Sequence, residues 1–364
     1  MRAVLWLTAF IAFQSCANDG VGQRGLGGVI VLGKTNEVSM RKEVLEISAN
    51  QVSVEYEFVN EGNVEVTLPV VFPLPPYSAI QPSNSWAGQP RGFKVLIDGA
   101  ESPFVTHLRA IAQLGKSGKE DVTEKIRRTG LTPEQIAHFP GAFPDNDISP
   151  FSPTVKKATR INQKQMAILR KLKLVADGPS GETDYPIWDA VVTYSWNVSF
   201  PPGKPVRVAH VYTPFRAGGA NASLSSYEVE NLRTRFCADD AYISKVRQAL
   251  KRQAQLTREG RSIVYGMAGT VVDYILTTAN TWKGPIRDFT LRLKKSAPEE
   301  IISLCFPGDF KKIDALTLES HISDFVPGHD LSIRFINPML GDGDARSAVY
   351  RGGPESDQSA PTLH

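Results

Sequence analysis

Alternation of apolar and polar residues constrains the fold of this chain more than any other feature of its sequence. A period of two along a segment indicates a strand with one buried face. The alternating apolar positions are Val52, Val54, Tyr56 and Phe58; Ala190, Val192, Tyr194, Trp196, Val198 and Phe200; and Val206, Val208, His210 and Tyr212. The sequence therefore predicts a mainly β protein of the α+β class, with two immunoglobulin-like β-sandwich modules and inserted helices.

Three corners between alternating segments predict hairpins. They are FPPGKPVRV from Phe200, TANTWKGPIRDF from Thr278 and FVPGHDLSI from Phe325. Proline and glycine favour tight turns, and a strand follows each corner. The first and third share the pattern Phe-x-Pro-Gly, which fits two modules closed by similar hairpins. Trp282 is expected to cover the core of the second module. The alternative is an exposed Trp282 that contacts a partner.

Helix signals interrupt the strands in two places. Thr132 and Gln135 have the spacing of a capping box, and Asp239 precedes a long amphipathic segment as a helix cap. We therefore divide the chain into four parts: a signal peptide at 1–17, a β-sandwich module at 18–225 with a helical insertion at about 105–180, a second β module at 226–338 with one helix, and a disordered tail at 339–364.

The first residues have the order of an export signal. Arg2 precedes an apolar run from Ala3 to Phe13, and Ser15-Cys16-Ala17 offers small residues for cleavage before Asn18. The alternative is a lipoprotein anchored at Cys16. No later segment reaches the ~20 apolar residues of a membrane helix. We therefore expect a periplasmic or secreted protein without a transmembrane segment in its mature form.

Export also predicts the state of the cysteines. Cys237 and Cys305 are the two that remain in the folded part of the chain under either cleavage scheme. In an oxidising compartment such a pair favours a disulfide over two free thiols.

Motifs for common chemistries are missing from the sequence, and neither a cofactor nor a metal site is predicted. His210 falls on an apolar strand face, which favours a hydrogen-bonded core histidine over a catalytic base. The 41 basic and 38 acidic residues nearly balance, so no overall charge draws the chain to nucleic acid. One basic run is a candidate contact for anionic lipid or cell-wall polymer, or else a solvated helix face: Lys156, Lys157, Arg160, Lys164, Arg170, Lys171 and Lys173.

Several longer motifs resemble a known bacterial family. They include AND before residue 20, YEFVNEGNVEVTLPVVFPLPP, FPPGKPVRVAHVYTP, FCADD, YILTTANTWKGPIRDFTL and DFVPGHDLSI. Together they resemble DUF4424, an exported family of unknown function. This resemblance implies an exported, β-rich protein with a disulfide, and no activity. The order of the first motifs is also similar to the VIT domain, a β-sandwich that mediates contacts, although the metal-binding DxSxS of its usual partner domain is missing.

These features favour a non-enzymatic function, as a binding or structural module of the cell envelope whose partner is an envelope protein, an anionic lipid or a cell-wall polymer. The alternative is an envelope hydrolase whose catalytic residues meet only in the fold. A pocket that joined His210 or Asp288 to a second titratable group would support the hydrolase.

Overall fold

A computed structural model describes residues 18–24, 30–79, 91–113, 118–139, 160–178, 184–214, 217–221, 224–259 and 268–337. In chain order the strands are β1 Gly20–Arg24, β2 Ile30–Leu32, β3 Val38–Ser48, β4 Val52–Asn60, β5 Val66–Pro73, β6 Tyr77–Ser78, β7 Arg91–Ile97, β8 Ala100–Ser102, β9 Val105–Gln113, β10 Lys119–Asp121, β11 Val175–Ala176, β12 Tyr185–Pro186, β13 Trp188–Phe200, β14 Pro205–Thr213, β15 Ala217–Asn221, β16 Ala268–Tyr274, β17 Ile286–Lys294, β18 Ile301–Ser303, β19 Lys311–Lys312, β20 Thr317–Phe325 and β21 Leu331–Asn337. The helices are α1 Thr123–Arg127, α2 Pro133–Ala137, α3 Gln163–Lys171, α4 Ser226–Phe236 and α5 Asp240–Arg258, with a 3-10 helix at Thr277–Thr281.

The described strands form three larger sheets and the short pair β11–β12. The seven-stranded sheet has the order β10-β9-β13-β5-β1-β2, with β6 also paired to β13. The eight-stranded sheet has the order β19-β20-β17-β3-β4-β14-β7-β8, and the four-stranded sheet has the order β15-β16-β21-β18. The mainly β prediction is therefore confirmed.

The main core lies where the seven-stranded and eight-stranded sheets face each other. The alternating apolar residues of β4, β13 and β14 are buried there, as predicted. Aromatic rings from the two sheets are in contact. The ring centroids of Phe72 in β5 and Phe93 in β7 lie 5.4 Å apart, and those of Phe93 and Tyr194 in β13 lie 4.2 Å apart. Such aromatic pairs add to the free energy gained from area burial alone.

The four-stranded sheet separates this core from two helices. Val272 and Tyr274 of β16 belong to the main core. Val271 points the other way and packs with Leu232 of α4 and Val246 of α5. Because successive residues of a strand face opposite sides, one strand can serve two apolar cores.

The predicted hairpins are wrong at all three corners. The chain enters the first corner from β13 in the seven-stranded sheet and leaves it as β14 in the eight-stranded sheet. The second corner leads from the four-stranded to the eight-stranded sheet, and the third leads back. Proline and glycine specify that the chain turns. They do not specify whether the next strand pairs with the previous one or crosses the core to another sheet.

The predicted helical insertion at about 105–180 is wrong in its first part. Residues 105–113 and 119–121 form strands β9 and β10 of the seven-stranded sheet, and the short helices α1 to α3 follow. The predicted box at Thr132 and Gln135 is present at the start of α2. Helix α3 ends at Lys171, and Lys173 has a positive φ of 55°. Leu172, which follows the helix, is 43% exposed.

The two immunoglobulin-like modules are not confirmed. Strand β17 pairs in parallel with β3, so the eight-stranded sheet contains strands from both sides of the expected boundary at residue 225. Parallel neighbours must come from distant parts of a chain, because they need a long crossover connection. The division into 18–225 and 226–338 stays a prediction.

Candidate functional site

An apolar groove lies where the second and third corners approach the segment around residue 307. Its volume is about 260 Å³. It is lined by Leu276, Phe306, Pro307, Phe325, Val326, Gly328, His329 and Leu331. Val326 is 62% exposed at this site, whereas Leu276 and Leu331 are buried and join the groove to the core.

Hydrogen bonds fix the walls of the groove. The carboxylate of Asp330 accepts from the backbone N–H groups of Leu276 and Thr277, each at 3.1 Å, and from the hydroxyl of Thr277 at 2.8 Å. The side-chain amide of Asn280 donates to the carbonyl of Pro327 at 3.0 Å. The 3-10 helix and the third corner are therefore held as one unit.

Close packing also fixes the third wall, which contains Phe306. A Cβ atom on Gly308 would lie 2.4 Å from Ser320 Oγ and 2.8 Å from the Phe306 ring, so a side chain does not fit there. Phe306 in turn lies 5.9 Å from Phe325, measured between ring centroids. Glycine in CFPGDF permits this approach of the loop to β20.

A cluster of buried polar side chains lies on the other side of the 3-10 helix. Asn18 and Asp19 are its centre, and both are 0% exposed. The hydroxyl of Thr278 accepts from Asn18 N–H at 2.7 Å and donates to the Asn18 carbonyl at 2.6 Å. The Asn18 side-chain amide donates to both carboxyl oxygens of Glu43 at 3.1 Å, and its oxygen accepts from the hydroxyl of Tyr56.

Asp19 and His210 form a pair inside this cluster. Asp19 Oδ1 lies 2.8 Å from His210 Nε2, and both side chains are fully buried. The expectation of a hydrogen-bonded core histidine is therefore confirmed. Burial raises the pKa of Asp19, while the charge of His210 and its hydrogen bond act in the opposite direction. Asp19 Oδ2 has no hydrogen-bond partner within the described residues.

Burial also shifts the pKa of the other titratable members of the cluster. It raises the pKa of Glu43 to about 8. The hydroxyls of Tyr56 and Tyr274 lie 3.2 Å apart, and burial raises the pKa of each well above its ordinary value. A carboxyl group that leaves water favours its neutral form unless a cation compensates it.

Trp282 closes the cluster towards the aromatic core. Its indole N–H donates to the Asp19 carbonyl at 2.7 Å, and its ring lies 4.4 Å from that of Phe58. Trp282 is therefore a packing residue, as predicted, although it packs against β4 and β13 in the main core and not over a separate second module. Gly284 has a φ of 73°, which permits the turn after it.

The two residues named for the hydrolase alternative do not lie in the groove. His210 is joined to Asp19 in the closed interior, where a substrate would reach it only after the core opened. Asp288 is joined to His321 at 2.8 Å on the exposed face of β17 and β20. Among the described residues that line the groove, His329 is the one titratable side chain, and its Nδ1 lies 2.9 Å from the Asp330 carbonyl oxygen.

Cys237 and Cys305 form a disulfide with their Cα atoms 4.9 Å apart. Cys237 ends α4 in a left-handed conformation, and Cys305 precedes Phe306 in the groove. The disulfide therefore joins the helices behind the four-stranded sheet to one wall of the groove.

The basic run is only partly within the described residues. Lys156 and Lys157 lie outside them. Arg160, Lys164, Lys171 and Lys173 are exposed on or beside α3. Arg170 forms a bidentate pair with Asp184, and this pair lowers the pKa of the Asp184 carboxyl. Contact with an anionic polymer or lipid stays a prediction.

No three His, Cys, Asp or Glu side chains of the described chain come together as they would around a metal ion. None of the described helices is both long and apolar enough to cross a membrane.

The family is shown by comparison with known proteins. Residues 17–334 match the family described as a domain of unknown function, DUF4424. The chain belongs to this family. A comparison with curated protein sequences finds no match.

Among solved structures, the likenesses are distant. A Legionella pneumophila protein, provisionally named a nutrient binding protein, has 14% identity and a TM-score of 0.37, and the match covers 87% of this chain and 72% of that one. Yeast LTA4 hydrolase has 10% identity and a TM-score of 0.29, over 82% of this chain and 28% of that one. An M1 zinc metallopeptidase from Deinococcus radiodurans has 10% identity and a TM-score of 0.25, and the match covers 83% of this chain and 43% of that one. Likenesses this weak carry no argument about function.

Proposed function

We propose that this chain is an exported cell-envelope protein that acts as a non-enzymatic binding module, and that its groove receives an apolar part of another envelope protein. Export is inferred from the Arg2, apolar run and Ser15-Cys16-Ala17 order at the start of the sequence. The groove carries the binding part of the proposal.

The size and rigidity of the groove support a protein partner. A volume of about 260 Å³ lies below the roughly 300–1,000 Å³ that is typical of small-molecule sites, and it suits one or two bulky side chains. Interfaces are commonly dominated by a few such side chains that enter well-packed pockets. Because Asp330, Asn280 and Gly308 fix the walls, little conformational entropy remains to be lost on binding.

A photoreactive amino acid at position 326 provides the test. In exporting cells we expect it to give a discrete crosslink to an envelope protein. The same substitution at Val105 provides the matched control, because Val105 is 59% exposed but lies on β9 of the seven-stranded sheet. We expect no crosslink from that position.

A competition experiment tests whether the crosslink results from binding in the groove. Unlabelled purified chain is expected to suppress the crosslink, and the Val105→Asp variant should suppress it equally. The Val326→Asp variant should need at least about tenfold more protein for the same suppression, which corresponds to a loss of ~1.4 kcal/mol of binding free energy. Equal competition by the two variants would contradict binding through the groove.

A further inference from the structure

The first residue of the proposed mature chain is built into the interior. Chain termini are usually exposed and poorly ordered unless tied down. Asn18 is 0% exposed, and its backbone N–H, its carbonyl and both polar atoms of its side chain make hydrogen bonds with Thr278, Glu43 and Tyr56. The α-nitrogen of Asn18 donates to Thr278 Oγ1, and the side chain of the same residue bonds the carboxyl group of Glu43.

This cluster contains more acidic than basic groups. Its two carboxyl groups, Asp19 and Glu43, share the interior with one imidazole, His210. His210 bonds one oxygen of Asp19, and the other, Asp19 Oδ2, is buried with no hydrogen-bond partner among the residues that the structure describes. An additional buried cation would compensate the second carboxylate and supply the missing donors.

We propose that cleavage before Asn18 supplies this cation, as a buried α-ammonium group that pairs with the carboxyl groups of Glu43 and Asp19. The inference rests on the proposed export. A water molecule hydrolyses the Ala17–Asn18 peptide bond, the carboxyl group remains on Ala17, and the released amine of Asn18 takes up a proton. Processing thereby completes the core of the exported protein.

The proposed pair predicts how stability depends on pH. While Asn18 is still joined to Ala17, burial holds the pKa of Glu43 at about 8, above its ordinary 4.5. The folded chain then binds more protons than the unfolded one, so its stability falls as the pH rises from 5 to 8. The α-ammonium group opposes this fall because it favours the ionised carboxylate.

The α-amino group also contributes to the stability of the folded chain, over its own range of pH. Its ordinary pKa is about 7.7–8.0, and pairing with a carboxylate raises the pKa in the folded state. Its stabilising contribution is therefore fully present below its unfolded pKa and is lost as the pH rises through the raised value.

Two purified chains with defined N-termini test the proposal. One begins at Asn18, and the other keeps Ala17, so that the same α-amino group is displaced by one residue. At pH 8 we expect the chain that begins at Asn18 to melt about 5 °C or more above the other. This difference should shrink at pH 5, where Glu43 is protonated in the longer chain, and again above pH 10, where the amine is neutral.

A labelling measurement keeps the test independent of stability. In the native protein we expect the α-amine of Asn18 to react with an amine-directed reagent at least about 100-fold more slowly than in denaturant, whereas the α-amine of the longer chain reacts nearly freely. Glu43→Gln should abolish the change in this melting-temperature difference between pH 5 and pH 8 and keep the decrease above pH 10, where the amine is neutral. Equal melting profiles together with free labelling of Asn18 would overturn the proposal. Because neither measurement involves Val326 or cells, both are separate from the test of groove binding.

Discussion

Trp282→Ala is expected to lower the free energy of unfolding by about 3–5 kcal/mol, since it removes a large buried ring and leaves a cavity. Trp282 is 4% exposed and contacts the rings of Phe58 and Phe200, with distances of 4.4 and 6.0 Å between ring centroids. The substitution also removes the donor to the Asp19 carbonyl. Equilibrium unfolding in denaturant measures the loss.

Two further variants separate the causes of this loss. Trp282→Phe keeps most of the ring packing but leaves the buried Asp19 carbonyl without its donor, which costs about 1–3 kcal/mol. Tyr227→Ala controls for loss of an exposed aromatic side chain, because Tyr227 is 81% exposed, and should stay within about 0.5 kcal/mol. If Trp282→Ala left unfolding unchanged but abolished the crosslink from position 326, the second corner would be a contact site instead of a packing element.

Asp19→Ala is expected to destabilise the protein by about 3–5 kcal/mol, the usual cost of removing one partner of a buried pair. It leaves His210 Nε2 without its carboxylate in a fully buried position. Denaturant unfolding of Asp19→Ala, His210→Ala and the double variant measures this effect.

The double-variant cycle isolates the pair itself. If the two residues act as a unit, the double variant should lose less than the sum of the single losses, with a coupling of about 0.5–3 kcal/mol. Additive losses would show that the two side chains contribute independently and would contradict the paired arrangement. Asp19→Asn provides a milder control, because its amide oxygen can still accept from His210.

Local patterns predicted which strand faces are buried. The alternation in β4, β13 and β14 depends only on neighbouring residues, and the buried residues are those predicted. The pairing partners depend on contacts between distant segments, so the same sequence pattern is compatible with a hairpin or with a crossing between sheets. This is why the burial of Trp282 was predicted correctly and the hairpin at its corner was not.

The polar cluster was missed for a related reason. Asn18 and Asp19 have no pattern around them that indicates burial. Glu43 did carry a signal, because it is in phase with Leu45 and Ile47, and all three are buried in β3. A charged residue in phase with an apolar face predicts a buried partner, as His210 does in β14. The groove has no such local signal, since its walls come from three separate segments.

N-terminal sequencing of the exported protein tests the central claim most directly. Cleavage must leave Asn18 as the first residue if its α-amine is to pair with the buried carboxyl groups. The predicted result is a single N-terminus that reads Asn-Asp-Gly-Val. An exported protein that began at Met1, or at a lipid-modified Cys16, would contradict the account.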